Sequence, residues 1–399
     1  GVKKSDLKIS ANVPAKGFYR EKPYTGGTWA APAANELMIF NDKIAMNWDE
    51  TEDLGRIMTR KTSLNPNSPT DYGFYTEWWY PYAWSVGGDC LIDLDGNGEY
   101  KLGLQESYPN YIVKNGTYRG AITGKTYTAG ETIAFADKIA VSDGQKIVAN
   151  DDGSFSVNGS AAEIRSEIKA EAAKADGVLS ELPSAKEAFT RFAKLAAREY
   201  DDTRISPYPS TFTSTNSITY FTSQKLAMIV ERVSNLAYVD KNLGENVKWT
   251  VAPLPAYKEY TNPADPSCDE VKARGAEVGH SHLSSIGIRK NSPMQEESYK
   301  FIEWAVTEGQ KVIAGAGFGS VSAATENTVL STKKFVNNTE IILNASKASR
   351  IGDWGYLKDR YWIDVWAKPL NEKVREGKES LAEFFVNYVK ATNDSLKAY

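Results

Sequence analysis

Asp93-Leu94-Asp95-Gly96-Asn97-Gly98-Glu99 sets an oxygen-bearing side chain at every second position and a glycine at the sixth, as in the first half of an EF-hand-type calcium loop. Calcium requires alternating hard oxygen ligands and a sharp turn. Asp93, Asp95, Asn97 and Glu99 are therefore candidate ligands for a structural calcium ion. The twelfth position, where a bidentate acid would complete such a loop, is Leu104, and Glu106 comes two residues late. The same stretch suits a plain polar hairpin turn, which Asp-Gly and Asn-Gly favour. No other cofactor is expected, because two histidines and two cysteines are poor material for a transition-metal site. Cys90 and Cys268, far apart in sequence, are compatible with a disulfide or with two isolated thiols.

A second constellation is aromatic. The chain holds ten Trp and twenty-two Tyr. Asp71 to Asp89 carries Trp78, Trp79, Tyr80, Tyr82 and Trp84, too many rings for one buried helical stripe. A sugar-binding cleft uses such residues: the apolar face of a pyranose stacks on an aromatic plane while its hydroxyls hydrogen-bond at the edge. Trp78 and Trp79, at a loop-to-helix junction, are the first candidates to face a cleft, and Trp84 is assigned to the core.

The elements that would position these residues are legible from periodicity and caps. Ile286 and Ile288 alternate with small or polar residues, as in a short strand. Ser292 fits an N-cap, Pro293 the first helical position, and Gln295 a capping box. Tyr299, Ile302, Val306 and Val312, with Phe301 and Ile313 beside them, then predict a helix with one buried face, stopped by glycines at 315, 317 and 319. Ser184 to Glu187 and Ser380 to Glu383 are two further capping boxes. Phe189, Phe192, Leu195 and Ala196 follow the first, and Leu381, Phe384, Phe385 and Tyr388 follow the second. Trp362 and Trp366 sit at i and i+4 on an expected helix. Residues 107 to 180, with short alternating runs such as Lys125 to Ile133 and Ser154 to Val157, read as a β-rich insertion followed by a charged helix from about Ala161 to Ala175.

Length and charge set the class. At 399 residues there is room for two domains. A formal net charge of −4 argues against nucleic acid or an anionic membrane surface as partner. No apolar run approaches the ~18 residues of a spanning helix. The chain opens without a signal-peptide pattern, and Gly1 suits a processed or truncated start.

The order of several weak motifs resembles the extracellular solute-binding proteins of bacterial ABC importers, specifically the carbohydrate-binding family that includes maltose-binding proteins. The resemblance is carried by Gly26 to Pro32 followed by Glu36 to Asn41, by Asp71 to Asp89, and by Tyr220 to Arg232. Val247 to Pro255, and Gly279 to Lys290 with the helix of Phe301 and Trp304 and the Gly317 to Val321 loop, complete it. Two positions depart: Gln224 stands where the family has glycine, and Ser322 where proline is common nearby.

The resemblance implies an α/β, two-lobed periplasmic-binding-protein-like fold with a hinge and an interlobe ligand cleft. Residues 1–200 would be the remainder of the N-terminal lobe, with the β-rich insertion at about 100–180 and a preceding segment missing. Residues 201–399 would be the C-terminal lobe, with crossovers near 250 and 320–350. It implies no catalysis, a monomer, an oligosaccharide ligand (malto-oligosaccharide as the family's common case), and permease subunits of an ABC transporter as partners. The location would be extracellular, as a cell-surface lipoprotein or periplasmic protein. Carried over to this chain, the ligand-binding candidates are Glu36, Trp78, Trp79, Tyr80, Glu231, Arg232, His282, Phe318, Asp353, Trp354 and Tyr356. The rival expectation is a glycoside-acting hydrolase with two carboxylates about 5 to 9 Å apart. A calcium-dependent adhesion module would rest on residues 93 to 99 alone.

Overall fold

The computed structural model describes residues 2–3, 37–38, 45–61, 65–93, 100–120, 123–139, 147–149, 155–157, 177–196, 204–212, 216–244, 246–262, 271–281, 286–315, 339–352, 357 and 361–397. Helices and strands are mixed along the chain. The elements used below are α1 (Trp48–Ile57), β1 (Tyr72–Tyr75), α2 (Tyr80–Ala83), β2 (Leu91–Asp93), β3 (Tyr100–Leu102), β4 (Asn110–Val113), β5 (Thr117–Arg119) and β6 (Thr126–Thr128). They continue with β7 (Leu179–Leu182), α3 (Ala185–Lys194), α4 (Ser217–Thr222), β8 (Leu226–Ile229), β9 (His280–Ser281), α5 (Gln295–Val306) and α6 (Glu308–Gly315). The last four are α7 (Thr339–Lys347), β10 (Arg350–Ile351), α8 (Tyr361–Pro369) and α9 (Leu381–Leu396).

Local chemistry starts the helices where the sequence predicts. In α3 the Ser184 side chain accepts from the Glu187 N–H at 3.2 Å, while the Glu187 carboxylate accepts from the Ser184 N–H at 2.8 Å. Ser380 and Glu383 repeat the same exchange ahead of α9. Each such cap is worth about 1 kcal/mol. A third box, Asn47 with Glu50, opens α1. Arg191 of α3 reaches back to α1, donating to Asp49 and to Glu52, with its guanidinium over the Trp48 ring.

One aromatic core ties distant parts of the chain together. Trp48, Phe74, Trp79, Trp84, Phe189, Phe192, Trp362, Trp366 and Phe384 belong to it, so the C-terminal helices pack on the first half of the sequence. Asn393 of α9 accepts from the Leu102 N–H of β3 at 2.8 Å. A smaller core of Tyr108, Tyr111, Val113, Tyr127 and Ile133 holds the β-rich stretch, where β4 pairs with β7 and β5 with β6, both antiparallel. Beneath it Lys138 is buried and pairs with Glu106 at 2.9 Å and Asn110 at 3.0 Å. The alternating runs at 125–133 and 154–157 do contain strands, Thr126–Thr128 and Phe155–Val157. The expected helix from Ala161 to Ala175 lies outside the described residues.

Two of the strand pairings among the described residues are parallel. β1 runs parallel to β8, with Leu226 opposite Tyr72 and Ile229 opposite Tyr75. β9 runs parallel to β10, with His280 opposite Arg350. The turn into β8 is set by Gln224, a non-glycine residue at φ +60°. It therefore adopts the left-handed backbone that a glycine would supply without strain. Gly73 in β1 is needed for a different reason: a Cβ there would lie 1.9 Å from the Gly55 carbonyl oxygen of α1.

The Phe301–Trp304 helix departs from expectation. It starts at Gln295 rather than Pro293, with Met294 at the N-cap, and Gln295 donates to the Lys290 carbonyl instead of closing a box with Ser292. It also ends at Val306, and its apolar residues are not buried: Tyr299 is 62% and Trp304 50% exposed, Phe301 and Val306 are open as well, and so is Val312 on α6. The periodicity forms the helix, but among the described residues only α6 packs closely on it.

Candidate functional site

Ligands of open parallel α/β sheets gather at the carboxyl ends of the strands, where connecting loops converge. After β1 the chain reads Thr76-Glu77-Trp78, and after β8 it reads Val230-Glu231-Arg232. Pairing continues past the strands, because the Val230 N–H donates to the Tyr75 carbonyl at 3.0 Å. The strand register ends with Ile229 opposite Tyr75, and the chain bends at Glu77 and Trp78; Glu77 there feels the charges of Arg232 and Glu231. Two segments about 150 residues apart in sequence thus meet at one sheet end.

The local geometry is specific. Thr76 Oγ1 donates to the Trp78 carbonyl at 2.8 Å and closes the corner that leads into α2. Pro81, at the second position of α2, needs no N–H partner there. Glu231 Oε1 accepts from the Arg232 N–H at 2.8 Å and from Asn235 Nδ2 at 3.0 Å. Arg232 is exposed and makes no ion pair with a described residue. Glu77 is also open to solvent, yet its carboxyl is raised above the ordinary carboxylate range. Desolvation by the surrounding protein is the main cause, Arg232 and Arg375 oppose it, and Glu231 adds to it.

The aromatic corner sorts itself into platform and core. Trp79 is 1% exposed, with its ring centroid 4.9 Å from that of Trp366, so it is a core residue and presents no face to a cleft. Tyr80 is buried too, stacked on Trp84 at 4.2 Å and on His280 at 4.7 Å. Trp84 belongs to the core, as expected, and the Arg350 guanidinium lies over it at 4.7 Å while pairing with Asp89. Trp78 alone of the three candidates is half-buried, stacked on Tyr80 at 6.0 Å. Glu36, His282, Phe318, Asp353, Trp354 and Tyr356 lie outside the described residues. Glu77, absent from the sequence-based set, was signalled there only by its place one residue before Trp78.

At the acidic stretch, β2 and β3 form an antiparallel pair with Asp93 opposite Tyr100. The flanks of residues 94 to 99 therefore have the geometry of a hairpin. Asp95, Asn97 and Glu99 lie outside the described residues. Leu104 is buried, and Glu106 is committed to Lys138 and to the Tyr108 N–H. Cys90 is buried, and Cys268 lies outside the described residues.

A family model described as bacterial extracellular solute-binding protein matches residues 100–312, more than half of the chain, and the chain belongs to that family. No curated protein and no solved structure matches the chain. Glu231 and Arg232 lie inside the matched span, and Glu77 and Trp78 precede it. Among the described residues no helix is long and apolar enough to cross a membrane.

Proposed function

We propose that this solute-binding protein takes an oligosaccharide, with malto-oligosaccharide the first choice, and presents it to the permease subunits of an ABC importer. One observation carries the reading: β1 pairs in parallel with β8, and in the segments that follow the two strands Glu77, next to Trp78, feels Glu231 and Arg232. The chemistry is recognition. Trp78 offers an aromatic plane, the carboxylates accept from sugar hydroxyls, and the Arg232 fork donates to two. Glu36, His282, Phe318, Asp353, Trp354 and Tyr356 are proposed to complete a cleft between two lobes, which closes about a hinge in a monomer. No cofactor is proposed, and a structural calcium ion at residues 93 to 99 stands only as the alternative to a plain turn. It requires that a chelator lower the melting temperature, and an unchanged melt leaves a plain turn.

Calorimetric titration with maltotriose tests the ligand. Saturable heat without sugar products supports binding. Release of glucose or maltose would instead identify a hydrolase using Glu77 and Glu231, and neither heat nor a rise in melting temperature would reject the sugar.

A further inference from the structure

Arg375 is 0% exposed; Tyr75, which hydrogen-bonds it, and the acids Glu77 and Glu376 act on its charge. It caps a π-helical turn, Leu370–Val374, which follows Pro369 at the end of α8, and its N–H donates to the Leu370 carbonyl at 2.9 Å. Nη1 donates to Asn371 Oδ1 at 3.2 Å and Nη2 to the Thr76 carbonyl at 3.4 Å. Nε finds no acceptor, and the guanidinium packs over Phe192 at 5.0 Å and Tyr75 at 5.7 Å. The neighbouring acid, Glu376, is engaged elsewhere: its carboxylate accepts from the Ser210 N–H at 2.6 Å and from the Ser210 hydroxyl at 2.8 Å. Burial lowers the Arg375 pKa, so the site bears a real cost for keeping a charge there. An apolar side chain of similar volume would fill the same space without that cost. Thr76, which receives Nη2, is the residue before Glu77.

We infer that Arg375 is a positioning residue for the ligand site: its donation to the Thr76 carbonyl holds the Thr76–Trp78 corner, and its buried charge acts on the Glu77 carboxyl that this corner carries. This rests on the strand-end reading proposed above. The groups acting on Glu77 are Arg232 and Glu231 from the β8 end and Arg375 from the π-helical turn, with Tyr75 on its own strand. Arg232 and Arg375 are the two cations that counter Glu231, and only Arg375 is shielded from salt and solvent by burial.

The test follows the Glu77 carboxyl by carbon-13 NMR titration, assigned with Glu77→Gln, in the wild type, Arg375→Met and Arg375→Lys. Maltotriose affinity is measured alongside at about pH 5.5 and about pH 8. Arg375→Met is expected to move the Glu77 midpoint upward, because one of the two cations that oppose its protonation is lost. Its affinity loss should be severalfold larger at the lower pH, and Arg375→Lys should restore both. An unmoved midpoint in folded Arg375→Met overturns the inference. If that variant does not fold, Arg375→Gln, which keeps donors toward Thr76 and drops the charge, gives the same reading. A midpoint that moves while the wild type ignores maltotriose supports the role of Arg375 and counts against the sugar alone.

Discussion

Trp366 and Trp304 both sit on short helices of similar apolar pattern, and their surroundings are opposite. Trp366 on α8 is fully buried against Trp79 and Phe189, partners nearly 290 and 180 residues earlier. Trp304 on α5 is half exposed and meets Phe301 of its own helix at 6.0 Å. Helical periodicity makes a stripe in both places. Whether the stripe becomes core depends on which other elements arrive to cover it. The sheet end between these regions is an intermediate case: Trp79 is drawn into the core while the adjacent Trp78 stays at the edge.

The largest expected effect would break that comparison at its buried pole. Trp366→Ala should destabilise the protein by about 3 to 5 kcal/mol in urea unfolding, because a large core ring leaves a cavity that its neighbours only partly fill. A loss below about 1 kcal/mol would mean that the aromatic core is not the stabilising centre described here. At the edge, Trp78→Ala should leave stability nearly unchanged yet cost about 1 to 3 kcal/mol in calorimetric sugar affinity. Trp79→Ala should do the reverse, and equal effects on both properties would dissolve the distinction.

Smaller effects sharpen the frame that carries the site. Asp71 accepts from Arg60 and, at 3.1 Å, from the Tyr220 hydroxyl of α4, joining the start of β1 to the helix before β8. Burial raises its pKa, but Arg60, Tyr220 and Lys61 outweigh it and the net value falls below 3.8. A depressed carboxyl stabilises the fold above its unfolded value and loses that contribution as pH falls through the folded one. Asp71→Asn should therefore cost about 1 kcal/mol at neutral pH, with the difference fading below about pH 4. Gln224→Gly should add about 0.5 to 1 kcal/mol, since glycine meets φ +60° without a Cβ clash. Last, Trp304→Ala should change stability by less than about 0.5 kcal/mol, and iodide should quench Trp304 fluorescence readily. A loss of several kcal/mol at Trp304 would place it with Trp366 after all.

What was legible in the sequence was local. The Ser184 and Ser380 caps, the α3 and α9 faces, and the Trp362–Trp366 pair all depend on spacings of three or four residues, which a helix converts into contact whatever surrounds it. The order of α4 and β8 was legible for the same reason, and so was the departure at Gln224, which the backbone meets with a left-handed turn.

Tertiary structure decided everything that needed a partner from far along the chain. Trp78 and Trp79 are identical in type and adjacent, and the core that includes Trp366 of α8 buries Trp79 alone of the two. Glu77 feels the charge of Glu231 only because β1 and β8 come together from distant parts of the chain. Arg375 reads in sequence as one more basic residue in a charged stretch, and becomes a buried cation under the sheet end because a π-helical turn faces it inward. Spacing along a chain fixes periodicity and caps through short-range hydrogen bonds, whereas burial and electrostatic neighbourhood are set by which surfaces meet once the chain has closed on itself.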